Sequence, residues 1–384
     1  MRREHILPVK QITSGPKHHF FGYYDKRQWD PTNRYILTYE VDFADRSPQA
    51  NDVLGIGIID TMDDYSLRLV AASRAWCWQQ GCMLQWVPGS PHKILYNDRV
   101  GDRFVAKILD VDSGVTRVLP RPVYTISDNA QWALSVNFSR LAVTRPGYGY
   151  NGLRDHWQED PAPEDDGIYL MDVSTGDHRL ILSVAELANY APLESMIGAK
   201  HWFNHLLFNP KGERFIFLHR WAQPGGRFQT RLCTADLSGK DLFVSRLDQG
   251  SHFIWFDDHR VLIWGYTPEE GHGYYLVEDR IDQLTLVGRG VLTRDGHCTV
   301  SLGKDWILTD EYPDANSERP LILYRLYDGV RIDIGRFFSP KAPTEELRCD
   351  LHPRWSNDGK QLCIDSMHLG SRQMFVIDVS EITG

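Results

Sequence analysis

The segment LLFNPKGERFIFLHR (206–220) holds an aromatic anchor, Phe208-Asn209, then the turn residues NPKG, then the apolar run RFIFL. Asn, Pro and Gly reverse a chain for separate steric reasons, and a β-branched or aromatic run on either side makes the whole a hairpin. The same order returns in LHPRWSNDGKQLCIDS (351–366). It returns less regularly behind Trp29-Asp30, Trp86-Val87, Ile126-Ser127, Trp255-Phe256 and Val300-Ser301. A third strand follows in most units, often closing on Asp (GIGIID, GIYLMDVSTG, RLCTADLSG, QMFVIDVS), and a short fourth strand after it (TRVLP, HRLIL, LFVSR, LTLVG). Recurrence at this spacing predicts an all-β chain, a seven-bladed β-propeller. The last unit lacks its fourth strand, and ILPVKQIT (6–13) is expected to supply it. No blade can bury both faces alone, so residues 1–384 read as one domain with an insertion at 145–166 in the third blade.

Of the 384 residues, 42% are hydrophobic and 24% charged, and the formal charge is −9. That balance argues against general attraction to nucleic acid or anionic lipid, so an anionic ligand needs a local cationic cluster. No run approaches the roughly 18 apolar residues of a membrane span, and no apolar block follows the basic start; the expectation is a cytoplasmic protein without membrane contact. The six cysteines show no paired spacing and are expected to be reduced. Oligomeric state is not legible.

Counting back from each anchor gives Lys26, Met83, Val123, His205, His252, His297 and His352 at one repeat position. Four successive blades thus put an imidazole at the start of the strand that lines the central channel. The loops after the second strands share that mouth. They bring Arg145, Tyr148 and Tyr150 from the insertion, which suit a wall for sugar rings, with Arg220 and Lys200 as further cations. His252, His297, Cys349 and His352 offer nitrogen and sulfur donors for a divalent metal, zinc before manganese or calcium, with Asp310 and Asp350 as substitutes or outer partners.

The blocks HHFFGYYDKRQW (18–29), SVNFSRLAVTRPGYGY (135–150), DGHCTVSLGKDWILTDEYPD (295–314) and RCDLHPRWSNDGKQLCIDS (348–366) resemble the propeller-type polysaccharide lyases of the ulvan-lyase-like families. His205, His252 and His352 are more distantly similar to positions in oligogalacturonate lyase. The resemblance implies β-elimination at a uronic acid in an anionic oligosaccharide, with a bound zinc in the first group and a manganese-type ion in the second. It also implies a Tyr and Arg pair beside the histidines, matched here by Tyr124 as acid or base and Arg140 as carboxylate clamp. Where relatives carry catalytic histidines in the second blade, this chain has Gln80 or Cys82 and Asn97. Asn97 can hydrogen-bond a carboxylate but cannot take a proton, so either His205 or Tyr124 does that work or the activity has been altered or lost. Two other readings stay open: a non-catalytic propeller that binds a carbohydrate or protein, and a glycoside hydrolase using carboxylates among Asp98, Asp310 and Glu311.

Overall fold

The computed structural model describes residues 1–384. It is built of strands, antiparallel but for one pair, in six sheets of four, four, four, eight, five and four strands. Three short α-helices, Phe138–Thr144, Val184–Asn189 and Ser380–Thr383, interrupt them. The anchors and turns found in the sequence form the inner hairpins. Phe208 pairs with Phe215 across the NPKG turn, Trp355 with Leu362, and Trp86 with Ile94. The eight-stranded sheet consists of two sets, Lys200–Phe208 to Phe243–Asp248 and Phe253–Trp255 to Leu284–Val287, joined at the outer edge of the first by the single pair Asp248 and Tyr266.

Lys10–Gln11 lies antiparallel to Gln373–Asp378, so the start of the chain completes the last sheet. Arg2–Glu4 adds a parallel fifth strand to Val330–Phe338, which the repeat pattern gave no reason to expect. Consecutive sheets pack through continuous apolar layers. Leu262 and Tyr274 meet Ile307 and Ile322, and Leu308 and Leu323 meet Leu362 and Phe375. Ile12, Cys363, Met374 and Val376 of the last sheet share a cluster with Phe20, Tyr39 and Trp86 of the first two. That contact brings the last sheet against the first two, near the start of the chain. No helix is long and apolar enough to cross a membrane.

Candidate functional site

The repeat position brings four imidazoles together. His252 and His297 have ring centres 4.1 Å apart, and His297 and His352 4.3 Å. Tyr23 bridges to the fourth, its ring stacked on His205 at 4.9 Å and 5.2 Å from His352. All four histidines are at least nine-tenths buried. His205 has φ +57° and His352 φ +42°, a left-handed conformation uncommon for a non-glycine residue and found also at the equivalent Met83, φ +57°. At His205 this coincides with a register shift between Asn204 and Leu207, a bulge that turns the side chain out of the ladder.

His205 is held from several sides. Its backbone N–H donates to the Tyr124 hydroxyl at 2.9 Å, which itself donates to Gln80 Oε1 at 3.0 Å. The Gln80 amide lies 3.5 Å from His205 Nδ1, and the Tyr23 hydroxyl 3.3 Å from Nε2. Burial, reinforced by Arg220, pushes the imidazole well below the ordinary histidine pKa, so at neutral pH it carries a lone pair and no charge.

Beside this cluster lies a cavity of about 1120 Å3 whose wall includes His205, His252, Asp295, Tyr148, Tyr312, Arg145, Arg220 and Phe228. Arg220 is 5% exposed. It donates through Nε to Thr230 at 3.1 Å, while its Nη1 is buried without a partner. No carboxylate pairs with it, and burial together with Arg145 pushes its pKa down to about 10. Arg145 likewise has a buried, unpartnered Nε and only the exposed Glu345 as a counter-charge, at 3.5 Å.

A second cluster adjoins His252 and contributes no residue to the cavity wall. His297 Nδ1 faces both oxygens of Asp310, at 2.9 and 3.0 Å, leaving Nε2 buried, unpartnered and 3.9 Å from Asp350. Both ring nitrogens of His352 are buried without a partner. Donor atoms of His297, Asp350 and His352 lie within 4.8 Å of one another. Burial opposes the charge on Asp350, but Arg319 and Arg348 outweigh it and hold the carboxyl well below its usual range. Three orphaned imidazole nitrogens around an ionised carboxylate, with a carboxylate orienting one ring from behind, are the donor chemistry of a divalent-metal site. Asp350 belongs to this group and Cys349 does not. The sulfur of Cys349 does not join the donor atoms that meet here, and burial drives its thiol up to about 11. His252 stands next to the group, its Nδ1 bonded to Asp295 at 3.0 Å.

Several residues expected at the mouth lie elsewhere. Arg140 is on the helix Phe138–Thr144, not at a strand end. It is spent on the backbone oxygens of His201, Trp157, Asp160 and Pro161 and on Asp155, so it ties down the insertion and has no donors left to clamp a substrate. Tyr124 is fully buried and engaged at its hydroxyl, which makes it a support of His205 and Gln80 rather than a proton carrier. Asn97 braces Val123 on both sides and donates to the Tyr150 hydroxyl. Tyr150 stacks on Phe138 at 4.2 Å within the core. Lys200 donates to the Gln158 carbonyl, away from the cavity wall. Of the insertion, Arg145 and Tyr148 reach the cavity. Tyr23, Asp295 and Tyr312 carry no repeat signal that would single them out, and Gln80 reads from the sequence only as a departure in the second blade. Tyr23 and Tyr24 stand in FFGYYDK (20–26) just before Lys26, and that nearness to the repeat position is the one signal the sequence offers for them.

Outside the cavity, His201 Nδ1 and His219 Nε2 lie 2.8 Å apart, and Arg231 donates to His219 Nδ1 at 3.0 Å. The arginine fixes one tautomer, and an added proton would break a link of the relay. Burial lowers both pKa values, that of His219 strongly. The unfolded chain takes up these protons near pH 6.5 and the folded chain resists, so their contribution is complete above about pH 6.5 and is lost as the pH falls toward the folded values. His205 and His352 act in the same sense. The unfolding free energy from urea titrations should therefore fall between about pH 6.5 and about pH 5, by up to about 1.4 kcal/mol per pH unit for each such group; a flat profile would show that these rings take up protons in the fold as readily as in the unfolded chain.

No protein-family profile and no curated protein matches the chain. Among solved structures, an oligogalacturonate lyase from Vibrio parahaemolyticus is similar with TM-score 0.69 and 11% identity, over 97% of this chain and 94% of that one. An oligogalacturonate lyase in complex with manganese gives TM-score 0.67 and 12% identity, with 98% of each chain covered. The β-propeller domain of the Trilobed protease from Pyrococcus furiosus gives 0.55 and 9%, over 94% of this chain and 96% of that domain. At such identities the likeness speaks of the fold, and the fold of this chain is a β-propeller.

Proposed function

We propose that this chain is a seven-bladed propeller lyase that breaks uronate-containing oligosaccharides by β-elimination. Counting the eight-stranded sheet as two blades gives the seven, in line with the repeats. The observation that carries the activity is a buried and a half-buried guanidinium with unpartnered N–H groups, Arg220 and Arg145, on the same cavity as an uncharged His205. Elimination at C5 needs the neighbouring carboxylate neutralised, a base for the C5 proton and an acid for the departing 4-oxygen. A planar guanidinium meets the first need through paired hydrogen bonds. The cavity wall carries Arg145, Arg220, Arg227, Arg231 and Arg246 against Asp248 and Asp295, a cationic surface in a chain of charge −9. His205 takes the C5 proton. Tyr148, edge-on to His205 at 5.4 Å and on the same wall, returns a proton to the leaving oxygen.

His297, Asp350 and His352 would hold a divalent ion, with His252 adjacent. Nitrogen and oxygen donors without sulfur suit manganese as well as zinc. Such an ion would draw charge from a substrate carboxylate and so acidify C5. The fold likeness supports the oligogalacturonate side of the resemblance, whereas the ulvan-lyase-like side rests on the sequence blocks.

The test is the ultraviolet absorbance of an unsaturated uronate, followed on oligogalacturonates with manganese, with zinc and after chelation. Absorbance that grows with metal and disappears on chelation is the expected result. Reducing ends released without it would mean a hydrolase, and tight binding without either a binding module.

A further inference from the structure

Two like charges without a full set of counter-ions do not stay side by side unless something else holds them. Arg220 comes from the strand Arg214–Ala222 and Arg145 from the insertion of another sheet, so no shared backbone fixes their separation. What they share is Phe228. Its ring centre lies 4.7 Å from the Arg220 guanidinium carbon and 4.9 Å from that of Arg145. Both distances are within the range in which the negative face of an aromatic ring attracts a cation. The ring is placed by local chemistry. Pro224-Gly225, with Gly225 at φ +72° and Gly226 N–H bonded to the Gln223 carbonyl at 2.9 Å, makes a tight turn. The chain comes back over its own hairpin, and the edge of Phe228 rests on Trp202 at 6.1 Å between ring centres. Phe228 is 39% exposed, so its ring remains accessible from the cavity side.

We infer that Phe228 is the positioning residue of the carboxylate site: its π face holds Arg145 and Arg220 together in the absence of ligand, so that their free N–H groups converge on one substrate carboxylate. The inference rests on the two arginines being the carboxylate clamp of the proposed lyase. The ring attracts cations but, unlike a glutamate, does not satisfy their hydrogen bonds or compete with an incoming carboxylate. The pair is thereby pre-organised, which lowers the ordering cost of binding. Glu345, the one acid near Arg145, is exposed and at 3.5 Å, and is readily displaced.

The experiment compares wild type, Phe228→Leu and Phe228→Tyr by calorimetric binding of trigalacturonate and of its methyl ester, with kcat and KM wherever turnover is seen. Leucine keeps the apolar bulk and removes the π face; tyrosine keeps both. Phe228→Leu should weaken trigalacturonate binding about tenfold and raise KM with little change in kcat, while Phe228→Tyr stays near wild type and methyl-ester binding does not respond. The inference falls if leucine binds the acid as wild type does, if leucine and tyrosine lose affinity alike, or if wild type binds no trigalacturonate. Tight, π-dependent binding without an unsaturated product would sink the lyase reading and leave this inference standing. Turnover indifferent to leucine would do the reverse.

Discussion

If His205 is the base of the proposed lyase, replacing it with alanine should lower kcat on oligogalacturonates about a hundredfold to ten-thousandfold, the usual contribution of a positioned general base. The protein should still fold, because the left-handed backbone at φ +57° is held by the Tyr124 hydroxyl on the backbone N–H and not by the imidazole. KM should change little, since the proposed carboxylate clamp is made of arginines that His205 does not hold. Tyr124→Phe gives the contrasting result. It removes the acceptor of the His205 N–H and frees Gln80, so the ring loses its fixed position while the base itself remains. A loss of about tenfold is expected there, the order of one misplaced hydrogen bond. If Tyr124→Phe abolished turnover and His205→Ala did not, the proton would pass through the phenol, and base and support would exchange roles. Steady-state rates with melting curves for both variants decide it.

The inner hairpins are readable in the sequence because anchor, turn and strand are local chemistry, repeated along the chain. The histidine position is readable for the same reason, since one offset from each anchor reaches one place in every blade. The parts of the site that the sequence does not reveal depend on contacts between blades. Tyr23 sits among His205, His297 and His352, yet it lies three residues before Lys26, outside the repeat position. Cys349 and Asp350 differ by one step in an irregular segment, where no ladder fixes which side chain faces His297 and His352. The left-handed backbone shared by Met83, His205 and His352 has no signature in three residues so unlike glycine. Arg140 departs from its expected place because the strand Trp132–Ser135 stops early. Asn137 then caps a short helix, its side chain accepting from the Arg140 N–H at 3.0 Å. An Asn before an apolar run is a helix start as readily as a strand end, and the sequence alone does not separate them.

Arg140→Met should destabilise the protein by about 3–5 kcal/mol, the cost of leaving a buried charge and its acceptors without their partner. The guanidinium is 2% exposed and meets four backbone oxygens as well as Asp155. Methionine fills the volume and satisfies none of them. Asp155 would keep Asn137 and the Trp157 N–H, so the loss should concentrate on the segment 155–161 and on its link to the His201 carbonyl. Urea unfolding reads the global loss, and hydrogen exchange should show early opening of 155–161. Arg140→Lys should recover only part of the stability, because one ammonium with three donors cannot reach acceptors spread over a planar fork. A substrate clamp would behave in the opposite way: unfolding midpoints would stay put for both variants, and KM for the acid would rise with the methyl ester unaffected. That pattern would return Arg140 to the substrate and require the carbonyl network to be incidental. The geometry argues against it, since a guanidinium with five hydrogen bonds to its own protein has no donor left to offer.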